Sequence, residues 1–254
     1  MTTAAPQGDP HKPDEIYVGY LPVPRGILLF ARVAVVVLLC AAAALAGLWS
    51  RAQSDPGAAV WDDGAIRAYR GTVVAAPYAM LVPDDTKLAP MPLLIVEMGK
   101  LGGGQRALPF AGQHVRINGW HLQRDGREMI ELAPDDDAVV ADDGPRASVS
   151  EASLGQITLR GEIVDSKCYL GAMKPGDGKT HKACATLCVT GGIPPMLVTS
   201  EPTPRSVIIT DDSGKPMPDA WRIFIADPVQ VTGELVNVGG LLQLRVREGG
   251  IERL

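Results

Sequence analysis

Three of the four cysteines in this sequence, Cys168, Cys184 and Cys188, lie close together, with His181 among them. The stretch begins Asp165-Ser166-Lys167-Cys168-Tyr169 and crosses a Gly-rich run. It continues as His181-Lys182-Ala183-Cys184-Ala185-Thr186-Leu187-Cys188 and ends at Gly191-Gly192-Ile193-Pro194-Pro195. The residues from Thr180 to Thr190 predict a short helix, N-capped by Thr180 and stopped by the glycine pair. At about 100° per residue, His181, Cys184 and Cys188 fall on one face of that helix. Cys168, expected at the end of the preceding strand, can fold back over this face. Cys168, His181, Cys184 and Cys188 then form a Cys₃His metal set, suited to zinc, copper(I) or an iron–sulfur centre.

Other chemistry competes for the same residues. In an oxidising compartment Cys168 pairs with Cys184 or Cys188, bracing the fold and leaving one thiol over. A Cys184–Cys188 bond within one helical turn needs distorted geometry. A helix-borne thiol near Lys182 is also a candidate for thiol–disulfide exchange or electron transfer in the cell envelope. The stretch has neither the Cys-x₂-Cys knuckle of common zinc sites nor the Cys-x-x-Cys-His of covalent haem. Cys40 lies in an apolar run and reads as a small packing residue. His114 and His121, seven apart on a predicted strand, read as surface residues on opposite faces. No Ser/His/Asp set or carboxylate pair stands out, so nothing compels an enzyme.

Several elements must position this set. Ile27–Trp49 is apolar apart from Arg32 and Gly47 and is long enough to cross a bilayer. A Pro-rich tail bearing Asp9, Asp14 and Glu15 precedes it, which favours an uncleaved anchor over a signal peptide. Lys12, Arg25 and Arg32 against Arg51 alone place the N-terminus in the cytoplasm and the remainder outside, the periplasm if the chain is bacterial. The expected organisation is a disordered tail 1–24, a transmembrane helix 25–50, a linker 51–64, a first barrel 65–140, an acidic linker 141–154 and a second barrel 155–254 carrying the insertion 165–195. The net charge of −5 and the absence of a basic cluster argue against nucleic acid. The partners expected are the membrane, through Ile27–Trp49, and a membrane protein beside it.

The barrels are inferred from an internal repeat. Arg70-Gly71-Thr72-Val73-Val74 recurs as Arg160-Gly161-Glu162-Ile163-Val164, and Leu94-Ile95-Val96 as Val207-Ile208-Ile209. Phe110 to Leu132 aligns without gaps on Phe224 to Val246. Alternation in His114–Asn118 and Gln230–Thr232 predicts half-buried strands, and Asp125-Gly126 and Gly239-Gly240 predict tight hairpins. The order of these strands resembles the OB-fold, a five-stranded Greek-key barrel. The fold class expected is therefore mainly β: one N-terminal helix, then two small OB-like barrels, the second with a short Cys/His helix inserted. The proximal barrel reads as a spacer or docking surface.

The segment from Gly161 to Pro194 also resembles a group of uncharacterised exported bacterial proteins. Their pattern is Gly-x-x-Val-Asp-x-x-Cys-Tyr followed by His-x-x-Cys-Ala-x-x-Cys-x-x-x-Gly-x-Pro. The resemblance implies an exported location and a Cys/His set acting as a unit, and it implies no activity. The expected function is an anchored extracytoplasmic accessory or binding protein with zinc or copper, or a disulfide, at the Cys/His site. The alternatives are an envelope redox protein and, on architecture alone, a module like the periplasmic haem carriers.

Overall fold

The structure is a computed structural model that describes residues 23–53, 59–75, 77–85, 91–200 and 205–254. Most of the expected tail 1–24 and the Asp55-Pro56-Gly57 part of the first linker lie outside the described residues. The chain divides into two units, Met1–Asp55 and Pro56–Leu254.

The first unit contains helix α1 (Arg25–Ala52), none of whose residues is buried. Its mean hydropathy reaches 2.7, and among the described residues it is the one helix long and apolar enough to cross a membrane. Its 28 residues give about 42 Å at ~1.5 Å per residue, more than the hydrocarbon core requires. Length and composition suit a membrane anchor or a signal sequence equally.

The second unit is mainly β. The first barrel is built from β1 (Val60–Val74), β2 (Met80–Pro83), β3 (Leu93–Val96), β4 (His114–Arg124) and β5 (Arg127–Leu132), with a short helix α2 (Gly104–Ala107) between β3 and β4. The strands run in the order β1-β2-β3-β5-β4, and β4 pairs back with β1 to close the barrel. A further short strand, β6 (Val139–Ala141), adds to β4. The second barrel uses β7 (Glu151–Asp165), helix α3 (Lys182–Thr190), β8 (Pro195–Thr199), β9 (Ser206–Asp211), β10 (Pro228–Val238) and β11 (Leu241–Arg253). Its strands close in the same order, β7-β8-β9-β11-β10.

Alternation explains both barrels. Val115 and Ile117 on β4, like Val229 and Val231 on β10, point into the cores, while the residues between them are partly exposed. The β4–β5 hairpin turns at Asp125 (φ 52°) and Gly126 (φ 72°), and the β10–β11 hairpin at Gly239 (φ 58°) and Gly240 (φ 98°). Positive φ at both central residues matches the twist of paired strands. Gly71 faces Val115, and Gly161 faces Val229. At both glycines a Cβ would lie about 2 Å from a neighbouring carbonyl oxygen, 2.1 Å from Val82 O and 2.0 Å from Val198 O. Only a bare Cα lets the strands approach there.

The strand ladders revise several sequence boundaries. Leu94 pairs with Met129 and Ile208 with Gln243, so Leu94 corresponds to Ile208 rather than to Val207. β1 starts at Val60, inside the stretch 51–64 read as linker, because Val60–Asp62 pair with β4. β7 starts at Glu151, inside 141–154, because its first half pairs with β10. His114 and His121 are also not surface residues. His114 is 5% exposed and bonds Asp84 Oδ2 at 2.8 Å, while His121 bonds Glu128 Oε2 at 3.2 Å. Polar partners on adjacent elements let both imidazoles withdraw from water.

The two barrels share one apolar cluster. Met80, Leu94 and Leu122 of the first meet Tyr169, Leu170 and Met196 of the second. Tyr169 and Leu170 are 1% and 0% exposed, a burial contributing about 1.5–3 kcal/mol for each side chain. Arg124 of β4 stacks 4.0 Å above the Tyr169 ring and donates to its carbonyl oxygen at 3.2 Å. The inserted segment is thus wedged against the proximal barrel, which is more than a spacer.

Candidate metal centre

The insertion leaves β7 at Asp165 and turns through a short helical segment, Cys168–Ala172. Cys168 therefore sits in a turn beyond the strand, rather than at its end. Asp165 Oδ1 accepts the Cys168 N–H at 2.8 Å and fixes that turn. After a single 3₁₀ turn, Lys179–His181, the chain enters α3. The residue at the α3 N-cap is His181, with no side-chain cap bond, so Thr180 does not serve as the cap. At the other end Gly191 and Gly192 donate to Leu187 O and Val189 O, and the helix stops as expected.

Cys184 and Cys188 project from one face of α3, and Cys168 meets them. The three Sγ atoms lie within 4.8 Å of one another. A metal bonded to three sulfurs at about 2.3 Å requires sulfur separations of about 3.8–4.0 Å, so small rotations complete such a centre. All three are free thiols; Cys168 and Cys188 are buried and Cys184 is half-buried. His181 stands apart from this trio. Its Nε2 bonds Asp165 Oδ2 at 3.1 Å, and Asp165, Cys168 and His181 form a second close group. The four expected ligands therefore resolve into two sets sharing Cys168, because the buried Asp165 carboxylate claims the imidazole. Either set could hold a metal ion.

Sequence reasoning missed the residues that complete the surroundings. Lys100, on the loop after β3, places its Nζ 2.7 Å from Cys184 Sγ and 3.6 Å from Cys188 Sγ. The bond to Cys184 raises the Lys100 pKa. The Cys188 thiol is lowered, first by the hydrogen bond from Cys168 and then by Lys100, against the opposing effect of burial. The Cys168 thiol is pushed well above the usual range, by donating that bond and by burial. Lys167, 5% exposed, donates to Glu97 O at 2.9 Å, Gly99 O at 2.8 Å and Glu131 Oε1 at 3.0 Å. Arg106 in turn donates from Nε to Glu97 Oε2 at 2.8 Å. The loop bearing Lys100 is held against α3 by close backbone contact: Gly102 N–H donates to Gly191 O at 2.9 Å. A Cβ on Gly191 would lie 1.8 Å from Lys100 O.

The thiols line one wall of an open cleft of about 560 Å³, whose other walls include Trp61, Met98, Trp120 and Met173. Trp61, Met98, Lys100, Trp120 and Glu131 come from the first barrel. Lys100 is followed by Gly102-Gly103-Gly104, a run with the composition of an ordinary turn, and only the fold places it against α3. The chain matches no protein-family model, no curated protein and no solved structure. The arrangement defines a candidate thiolate metal centre at the junction of two barrels.

Proposed function

We propose that this chain is a single-pass membrane-tethered protein of the bacterial envelope that binds one thiophilic metal ion through Cys168, Cys184 and Cys188. The observation that carries this reading is the convergence of three free thiols within 4.8 Å on an open cleft. Thiolates select zinc, copper(I) and iron–sulfur clusters over hard cations. Lys100 supplies positive charge where thiolate charge collects. The Asp165–His181 pair stands behind Cys168, where it orients the turn and offers a further ligand.

The anchor is α1, with the N-terminus in the cytoplasm and both barrels in the periplasm. Arg25 and Arg32 toward one end, against Arg51 at the other, support this orientation. The resemblance of Gly161–Pro194 to an exported bacterial module supports the same compartment. The barrels hold the ion beside the membrane, where a membrane protein can give it up or receive it.

The test is elemental analysis and thiol counting on the full chain, purified in detergent without chelator. One equivalent of zinc or copper per chain is expected, and Cys184→Ser/Cys188→Ser should lose it. Metal-free protein with two of Cys168, Cys184 and Cys188 oxidised would overturn the reading. Reporter fusions at the C-terminus test the topology, since activity confined to a cytoplasmic reporter is incompatible with it.

A further inference from the structure

Methionine is usually a core residue, and Met80, Met129, Met196 and Met217 are all buried here. Met98 and Met173 are different: each is 46% exposed. Both line the cleft that holds the three thiols. Met98 lies on the loop that carries Lys100, and Met173 follows the turn that carries Cys168. One thioether therefore comes from each barrel.

We infer that the ion taken by the three-thiol site is copper(I), and that Met98 and Met173 receive it at the mouth of the cleft. The inference rests on the metal-binding reading above and adds the identity of the ion and its route.

The argument has two parts. A thioether is a neutral, soft ligand with useful affinity for copper(I) and little for zinc or other harder divalent ions. Two exposed thioethers beside three thiols form a gradient from weak to strong soft ligands, which lets an ion enter without being trapped on the way. The second part is charge. Lys167 is paired with Glu131 at 3.0 Å and Asp63 also lines the cleft, but Lys100 stands directly beside the thiols, and its repulsion of a cation arriving there scales with that cation's charge. A monovalent ion meets half the repulsion of a divalent one, and neutral thioethers hold it without needing an anionic ligand. At the thiols the Lys100 ammonium group offsets part of the excess negative charge of a copper(I) thiolate centre.

The transfer balances without redox chemistry. Copper remains in the +1 state, and no electron moves. Copper–thioether bonds break as copper–thiolate bonds form, the thiol protons pass to solvent, and the donor leaves as free ligand.

The experiment uses the full chain in detergent, reduced and kept from air, with copper(I) presented as its bicinchoninate complex. Loss of the complex's colour is followed by stopped flow. Wild-type protein should withdraw one equivalent. Met98→Leu/Met173→Leu should withdraw the same amount at least ten-fold more slowly, and each single variant should fall between. The exposure of both side chains makes leucine tolerable, and the single variants keep the test open if the double variant folds poorly. Loading of all three variants at the wild-type rate would overturn the route. Wild-type protein that takes up zinc and leaves copper(I) with the chelator would overturn the identity of the ion. Failure of the underlying site is a distinct result: Cys184→Ser/Cys188→Ser would still withdraw a full equivalent.

Discussion

Lys167 gives the sharpest test of how the two barrels build the site together. The residue is 5% exposed, and its ammonium group reaches across from the second barrel to three acceptors of the first, at 2.8–3.0 Å. Lys167→Met removes all three bonds and leaves the Glu131 carboxylate, 3% exposed, as a buried charge. Its second oxygen, Oε2, already lacks a hydrogen-bond partner. Removing one member of a buried ion pair costs about 3–5 kcal/mol, because the survivor keeps its desolvation penalty. For a body of this size that lowers the melting midpoint by roughly 6–20 °C. Replacing both members with apolar residues removes both desolvation penalties, so Lys167→Met/Glu131→Met should lie within about 1–2 kcal/mol of wild type. Urea unfolding of the full chain in detergent, followed by near-ultraviolet circular dichroism, completes the double-mutant cycle. The reasoning is refuted if Lys167→Met costs less than about 1 kcal/mol, or if the two single effects simply add.

Three further outcomes follow from close contacts and from one shifted carboxylate. Gly191→Ala puts a Cβ 1.8 Å from Lys100 O, so the loop must move and separate Lys100 from Cys184. The expected loss is about 2 kcal/mol or more, together with an altered alkylation rate at Cys184; wild-type stability and reactivity would contradict it. Gly161→Ala meets Val198 O at 2.0 Å inside the β7–β8 ladder. It should destabilise the second barrel by a similar ~2 kcal/mol in chemical denaturation, and a neutral result would show that the strands can part freely. Asp227 is held below the usual carboxylate range, first by the hydrogen bond from Lys182 and then by Arg253, against burial. A lowered folded pKa contributes stability above the unfolded value of about 3.9 and loses it as pH falls through the folded value. The gap between wild type and Asp227→Asn should therefore be steady near neutrality and close below about pH 4, and urea midpoints that diverge on acidification would refute this.

Much of the architecture was written in local patterns. A helix of the length and apolarity of Ile27–Trp49 needs no tertiary partner to be recognised. Alternation in His114–Asn118 and the Asp125-Gly126 and Gly239-Gly240 dipeptides marked strands and hairpins, because side-chain direction and positive φ are local properties. The helical register of Cys184 and Cys188 predicted their common face for the same reason. Strand ends were less legible: Val60 and Glu151 fall in stretches whose composition suggests linker, and only pairing with β4 and β10 makes them strand.

The sequence by itself determined that three cysteines and a histidine share one short segment, and that two of the thiols project from one helix face. Tertiary structure decided what surrounds them. It turned His181 toward Asp165, because a buried carboxylate demands a partner. It brought Lys100 to Cys184 across an interval of 84 residues, and it used Lys167 to join the barrels through Glu131. Those contacts depend on two closed barrels packing through Tyr169 and Leu170. No spacing along the chain encodes that packing, because it arises from the fit of one folded surface against another.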